Sequence, residues 1–119
     1  MKKISSLFLL ITLAFITSSC AAPDELFGTW YNDENGTRNA IQFSENDDGE
    51  NVFIWAVYDI ENDAIESNNS GRFKVSGSTI EFEFEQGRDP LKLSFAIEDG
   101  SLILTSESAR MKLEKYNIE

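Results

Sequence analysis

A chain of 119 residues with 21 acidic residues, 10 Lys and Arg and no His carries a formal charge of −11. That balance argues against nucleic acid and anionic lipid headgroups as partners, because phosphate recognition depends on clustered cations. A single Cys excludes an internal disulfide, and the absence of His removes the commonest general base and metal ligand.

At the N-terminus Lys2 and Lys3 precede an apolar stretch, Leu7 to Ile16, broken only by Thr12. The small residues Thr17, Ser18 and Ser19 then lead into Cys20. This order predicts a signal peptide over residues 1–19. The run is too short to span a bilayer as a helix, which takes about 20 apolar residues. Cys20 stands at the cleavage site and is expected to carry the lipid of a bacterial lipoprotein, although Thr17 replaces the Leu usual three positions earlier. Two or three acyl chains, each buried methylene contributing about 0.8 kcal/mol, would act as a lasting lipid anchor. Ala21, rather than Asp, follows the Cys, so the expected location is the outer membrane of the cell envelope, on either face. Without Lys2 and Lys3, 8 cations face all 21 acids, giving the processed chain a formal charge of −13. Residues 20–25 form the lipidated Cys and a tether that reaches at most about 18 Å, so the domain over residues 26–119 is expected close to the bilayer.

Beyond the tether the dominant pattern is alternation of period two, which predicts half-buried strands. Eight are predicted, near 26–32, 37–44, 50–58, 71–76, 79–85, 90–97, 101–105 and 110–116. Two-residue hairpin signals fall at Asn35-Gly36, Asp48-Gly49, Gly77-Ser78 and Asp99-Gly100. The polar stretch Asp59 to Ser70 lacks alternation and reads as a loop with at most a short strand near Ala64-Ile65.

The turns also predict register. Closing Gly77-Ser78 sets Val75 opposite Ile80, Phe73 opposite Phe82, Lys74 opposite Glu81 and Arg72 opposite Glu83. A four-residue loop from Gln86 to Asp89 would pair Phe84 with Leu91 and Phe82 with Leu93. Asp99-Gly100 pairs Ile97 with Leu102, and Asn35-Gly36 pairs Trp30 with Ile41 and Asp33 with Arg38. Apolar meets apolar at every turn, as in a real meander. The expected fold is all-β, an eight-stranded antiparallel up-and-down meander closed into a small barrel, with a two-sheet sandwich as the alternative. Alternate connections then share one rim with the N-terminus, and the remaining loops point away from the tether.

The chain resembles the small lipocalin-like (calycin-type) domains found in bacterial lipoproteins. The resemblance covers Leu26 to about Tyr116 and rests on Gly28-Thr-Trp30, matching the family's G-x-W at the head of the first strand. Gly71-Arg-Phe-Lys-Val75, the hairpin from Ile97 to Leu102 and a basic last strand support it. It implies a barrel with one closed end and one open end that often takes a small apolar ligand. It also implies that Trp30 plugs the closed end beneath a cation of the last strand. Alternation puts Lys115 there in place of the family's Arg, with a frayed, solvated Lys115 as the equal alternative.

The inward set by register includes Ile41, Phe43, Ile54, Ala56, Tyr58, Phe73, Phe82, Phe84, Leu91, Leu93, Leu104, Met111 and Leu113. Of these, Phe43, Ile54, Ala56, Tyr58, Phe73, Phe84 and Leu91 are the candidate ligand-binding residues. Lining so rich in Phe favours a filled core over a working pocket. The third strand is apolar on both faces, which leaves Phe53, Trp55 and Val57 as an outward patch, either covered by a loop or docking a protein partner.

Catalytic signals are weak. Glu81, Glu83 and Glu85 lie in a row on a solvated face rather than converging on a cleft, so they do not form a catalytic carboxylate pair. Asn46-Asp47-Asp48-Gly49-Glu50 lacks the spacing of a calcium loop and reads as a hairpin tip. No Gly-rich phosphate loop or nucleophile elbow is present, and neither a cofactor nor a metal is expected. The expectation is a non-enzymatic, membrane-anchored binding module for a small apolar ligand. The alternative is a protein-interaction or inhibitor module acting through the acidic surface or the Phe53/Trp55 patch.

Overall fold

The computed structural model describes residues 22–117. The expected signal peptide over residues 1–19 and the expected lipidation site Cys20 lie outside the described residues. Eight strands follow in chain order: β1 (Gly28–Glu34), β2 (Thr37–Glu45), β3 (Asn51–Asp59), β4 (Ala64–Ser76), β5 (Thr79–Phe84), β6 (Leu91–Glu98), β7 (Ser101–Thr105) and β8 (Arg110–Lys115). Each pairs antiparallel with its neighbours in sequence, and β1 pairs with β8, so the sheet closes into an up-and-down barrel. The expected fold class is therefore observed, and the sandwich is excluded.

Three turns set the register anticipated from sequence. Asn35-Gly36 and Asp99-Gly100 both have two residues at positive φ, the twist-matched geometry of a tight hairpin. They pair Trp30 with Ile41 and Ile97 with Leu102. Around Gly77-Ser78, Val75 meets Ile80 and Phe73 meets Phe82.

Three expectations need correction. First, the β2–β3 connection is a five-residue loop, since Glu45 pairs with Asn51. The Asn46 side chain accepts hydrogen bonds from the backbone N–H of Asp48 (3.0 Å) and Glu50 (2.9 Å), which winds an extra residue into the tip. An odd loop reverses the facing of the strand that follows it. Phe53, with 1% exposure, therefore points inward, and Ile54, at 46%, points out together with Ala56 and Tyr58. Second, β4 begins at Ala64 instead of residue 71, so most of the expected loop is strand, paired with β3 across a bulge beside Val57 and Tyr58. Third, the β5–β6 ladder is shifted by two residues, pairing Phe82 with Leu91 and Ile80 with Leu93. Pro90 precedes β6 and offers no N–H to prolong the ladder upward. A shift of two preserves the facing of every side chain.

The N-terminal segment also differs from a free tether. Asp24–Leu26 form a single 3-10 turn, Leu26 is fully buried, and Ala22 packs against the core. The first strand accordingly starts at Gly28 rather than at residue 26.

The middle of the barrel is filled by phenylalanines packed edge to face. Phe43 and Phe73 have ring centroids 5.0 Å apart, and Phe53 and Phe82 are separated by 4.8 Å. Ile41, Ile80, Leu93, Leu102, Leu104 and Leu113 complete this core. Because the strands are consecutive and antiparallel, the 46–50, 77–78 and 99–100 connections share the rim of the N-terminus. The 35–36, 60–63, 85–90 and 106–109 connections form the opposite rim.

Candidate functional site at the open end of the barrel

The two ends of the barrel are built differently. At the N-terminal rim Trp30 is buried and donates its indole N–H to the Leu26 carbonyl at 2.8 Å, which pins the 3-10 turn beneath the barrel. Lys115 lies across this plug. Its Nζ is 4.5 Å from the Trp30 ring centroid and donates to the carbonyls of Phe27 (2.7 Å) and Glu25 (3.0 Å). Gly28, with φ +124°, leaves room for that side chain: a Cβ there would sit 2.9 Å from Lys115 Cε. Gly28, Trp30 and Lys115 are thus one physical unit, with the strand register bringing Trp30 opposite Lys115.

The opposite end is open. Above the phenylalanine layer, Trp55, Leu91, Leu93, Leu104 and Met111 line a cleft of about 560 Å³ between β3 and the β6–β8 side, with Glu34 and Arg110 at its edge. A second cleft of about 260 Å³ adjoins it on the β2–β4 side. Asn39, Val57, Ser67 and Asn69 line this cleft together with Phe84 and Arg88, and Trp55 and Leu91 border both. The Trp55 ring rests edge-on against Phe82 at 5.3 Å, and its indole N–H donates to Asn39 Oδ1 at 3.1 Å. Arg88 holds its guanidinium 4.8 Å from the Phe84 ring centroid.

Barrel closure is incomplete at this end. Strands β1 and β8 share only the pairs Trp30–Lys115 and Tyr31–Glu114, and above them the Asn32 side chain bridges the seam by donating to the Lys112 carbonyl at 2.9 Å. The other Asn32 side-chain atom, Oδ1, is buried and has no hydrogen-bond partner. Asn32 is the register partner of Asn39, so both belong to the inward face just above Trp30 and Ile41.

The ligand-binding candidates are thus dispersed. Phe84 and Leu91 line the open end, whereas Phe43 and Phe73 are buried in the filled middle. Ile54, Ala56 and Tyr58 face outward, displaced by the odd β2–β3 loop. The supposed outward patch of Phe53, Trp55 and Val57 faces inward instead: Phe53 is core, and Trp55 and Val57 are cleft wall. The polar members of the site were missed. Asn32 and Asn39 could have been found by extending the alternation of Trp30 and of Ile41–Phe43 upward by two residues. Ser67 and Asn69 gave no signal, because polar residues in a strand that lines a wet mouth look like loop.

Charges at the rims are locally paired. Arg38 holds Asp33 bidentately at 2.6 and 2.8 Å, and that hydrogen bond lowers the Asp33 pKa below the ordinary 3.8. At the other rim, hydrogen bonds from Asn46 and then Arg72 lower the Glu50 pKa. Among the described residues no group of three His, Cys, Asp or Glu side chains is arranged to hold a metal ion. The geometry is therefore that of an open cleft over a solid core. Comparison with protein-family models, with curated proteins and with solved structures finds no match.

Proposed function

We propose that this protein is a lipocalin-like lipoprotein, anchored to the outer membrane through Cys20, whose non-catalytic barrel binds a small apolar ligand at its open end. The observation that carries the reading is the cleft of about 560 Å³ walled by Trp55, Leu91, Leu93, Leu104 and Met111. Its size lies within the range of small-molecule sites, and apolar walls with few polar groups are their usual make-up. The lipocalin-like assignment draws on the closed eight-stranded meander and on the Trp30 plug under Lys115. The docked 3-10 turn shortens the tether, so an anchored domain would hold its N-terminal rim against the bilayer and its cleft away from it.

A titration with the neutral fluorescent probe N-phenyl-1-naphthylamine tests the binding. Saturable one-to-one binding is expected, and Leu91→Arg, at a site 37% exposed that tolerates a long polar side chain, should abolish it. Absent saturation, or binding indifferent to that substitution, removes the reading. For the anchor, the protein should fractionate with membranes, and Cys20→Ser should release it.

A second reading, a protein-interaction or inhibitor module, is favoured by the outward apolar side chains of Ile54 and Ile65, which are 46% and 63% exposed. A soluble partner whose capture is lost in an Ile54→Ser, Ile65→Ser double variant would support it.

A further inference from the structure

The mouth is not uniformly apolar, and its two clefts differ in chemistry. We infer that it takes a two-part ligand, an apolar tail beside Leu93, Leu104 and Met111 and an uncharged hydrogen-bonding head over Asn39, Ser67 and Asn69. The inference rests on the proposed binding reading and names the ligand class for that same site.

The smaller cleft presents neutral polar groups that converge. Asn69 is the register partner of Trp55, Ser67 of Val57, and Asn39 of Val57 on the other side, so three adjacent strands bring them to one face. Among the described residues no hydrogen bond engages the side chains of Ser67 or Asn69, and Asn39 uses only its Oδ1, for Trp55. An amide side chain carries two donor hydrogens and an acceptor oxygen, and a hydroxyl does both. The cleft thus offers donors and acceptors together. A hydroxyl-bearing or amide head satisfies both kinds, whereas a carboxylate can only accept and a hydrocarbon does neither.

The shared wall suits a molecule that bridges the two clefts. Trp55 and Leu91 border both, so a chain crossing between them remains in apolar contact while its head reaches the amides. Charge around the mouth is mixed: Arg88 is the one charged residue lining the smaller cleft, Glu34 and Arg110 both line the larger one, and the chain as a whole is strongly negative. The choice of a neutral head therefore rests on the pairing of donors with acceptors and not on charge.

The test compares three ligands of one chain length at neutral pH, each below its micelle concentration: monododecanoylglycerol, methyl dodecanoate and dodecanoate. Displacement of N-phenyl-1-naphthylamine gives the affinities. Monododecanoylglycerol is expected to bind at least about tenfold more tightly than either of the others, a difference of about 1.4 kcal/mol. Asn69→Leu and Ser67→Ala should each shrink that preference while leaving methyl dodecanoate bound, which shows the apolar cleft intact. Equal affinities, or a preference for dodecanoate, overturn the inference and leave the apolar-ligand reading standing. If none of the three displaces the bound probe, the inference falls, while the apolar-ligand reading is decided by the probe titration itself and falls only if the probe does not saturate.

Discussion

Replacing Lys115 with Met keeps the aliphatic stem and deletes only the ammonium, so it isolates what the charge does at the closed end. The ammonium donates to two backbone carbonyls and stands over the Trp30 ring. Hydrogen bonds to charged groups contribute about 1.5–3 kcal/mol each when well buried. Here the Glu25 carbonyl belongs to an exposed residue and water can replace the lost donor, so that bond should contribute little. Phe27 is half-buried and its carbonyl bond, at 2.7 Å, is the shorter of the two. Losing that donor should cost about 1–2 kcal/mol, and a partly exposed cation–π contact adds about 0.5–1 kcal/mol. The total expected loss is about 1.5–3 kcal/mol, equivalent to a fall of roughly 6–24 °C in Tm for a domain of this size. Urea unfolding followed by tryptophan fluorescence measures it, with Lys112→Met as the control. Lys112 is exposed on the other face of the same strand, and its replacement should stay within about 0.5 kcal/mol. If Lys115→Met is no worse than Lys112→Met, the plug is decorative and the reasoning fails.

Other consequences of the packing can be measured in the same way. Phe53→Ala should cost about 3–5 kcal/mol, because it opens a cavity among packed rings, while Ile54→Ala should cost under about 1 kcal/mol on its exposed face; reversed values would mean that β3 faces the other way. At Gly71 a Cβ would overlap the Glu83 carbonyl and crowd the Phe84 Cα. Gly71→Ala should therefore destabilise by about 3 kcal/mol, at the upper end for overpacking, since the obstacle is rigid backbone, and a Tm equal to the parent's would exclude so close an approach. The Asp33 pKa is lowered mainly by the Arg38 hydrogen bond. A depressed carboxylate stabilises the fold above its unfolded-state pKa and loses that contribution as pH falls through the lower folded value. Asp33→Asn should thus cost about 0.2–1 kcal/mol at neutral pH, given its exposure. The difference from the parent should disappear once the pH drops well below 3.8. A gap that persists or widens in acid would show that the pair does not act through charge.

Much of the fold was legible because strand alternation and tight-turn chemistry are local. Asn35-Gly36, Gly77-Ser78 and Asp99-Gly100 each dictate a register from a few residues, and each appears as expected in the ladder. Asp48-Gly49 carries the same kind of signal, yet the Asn46 side chain wins the competition for the loop N–H groups and adds the residue that inverts β3. Because Phe53, Trp55 and Val57 alternate with Ile54, Ala56 and Tyr58, neither face of β3 could reveal the inversion by its polarity. The candidate site suffered accordingly: three of its expected members turned outward with that strand, and the expected outward patch became core and wall.

The polar half of the mouth was hidden for a related reason. Residues 64–70 become strand because β3 extends beside them and offers its backbone groups, a condition their own side chains do not express. The pattern of greasy and polar residues was enough to determine that this chain makes an all-β meander with an acidic exterior and a Trp at one end. Which residues of β3 look inward, how far β4 climbs, and that amides and apolar residues meet at one mouth were decided by tertiary structure, because loop parity and strand length depend on partners remote in the chain.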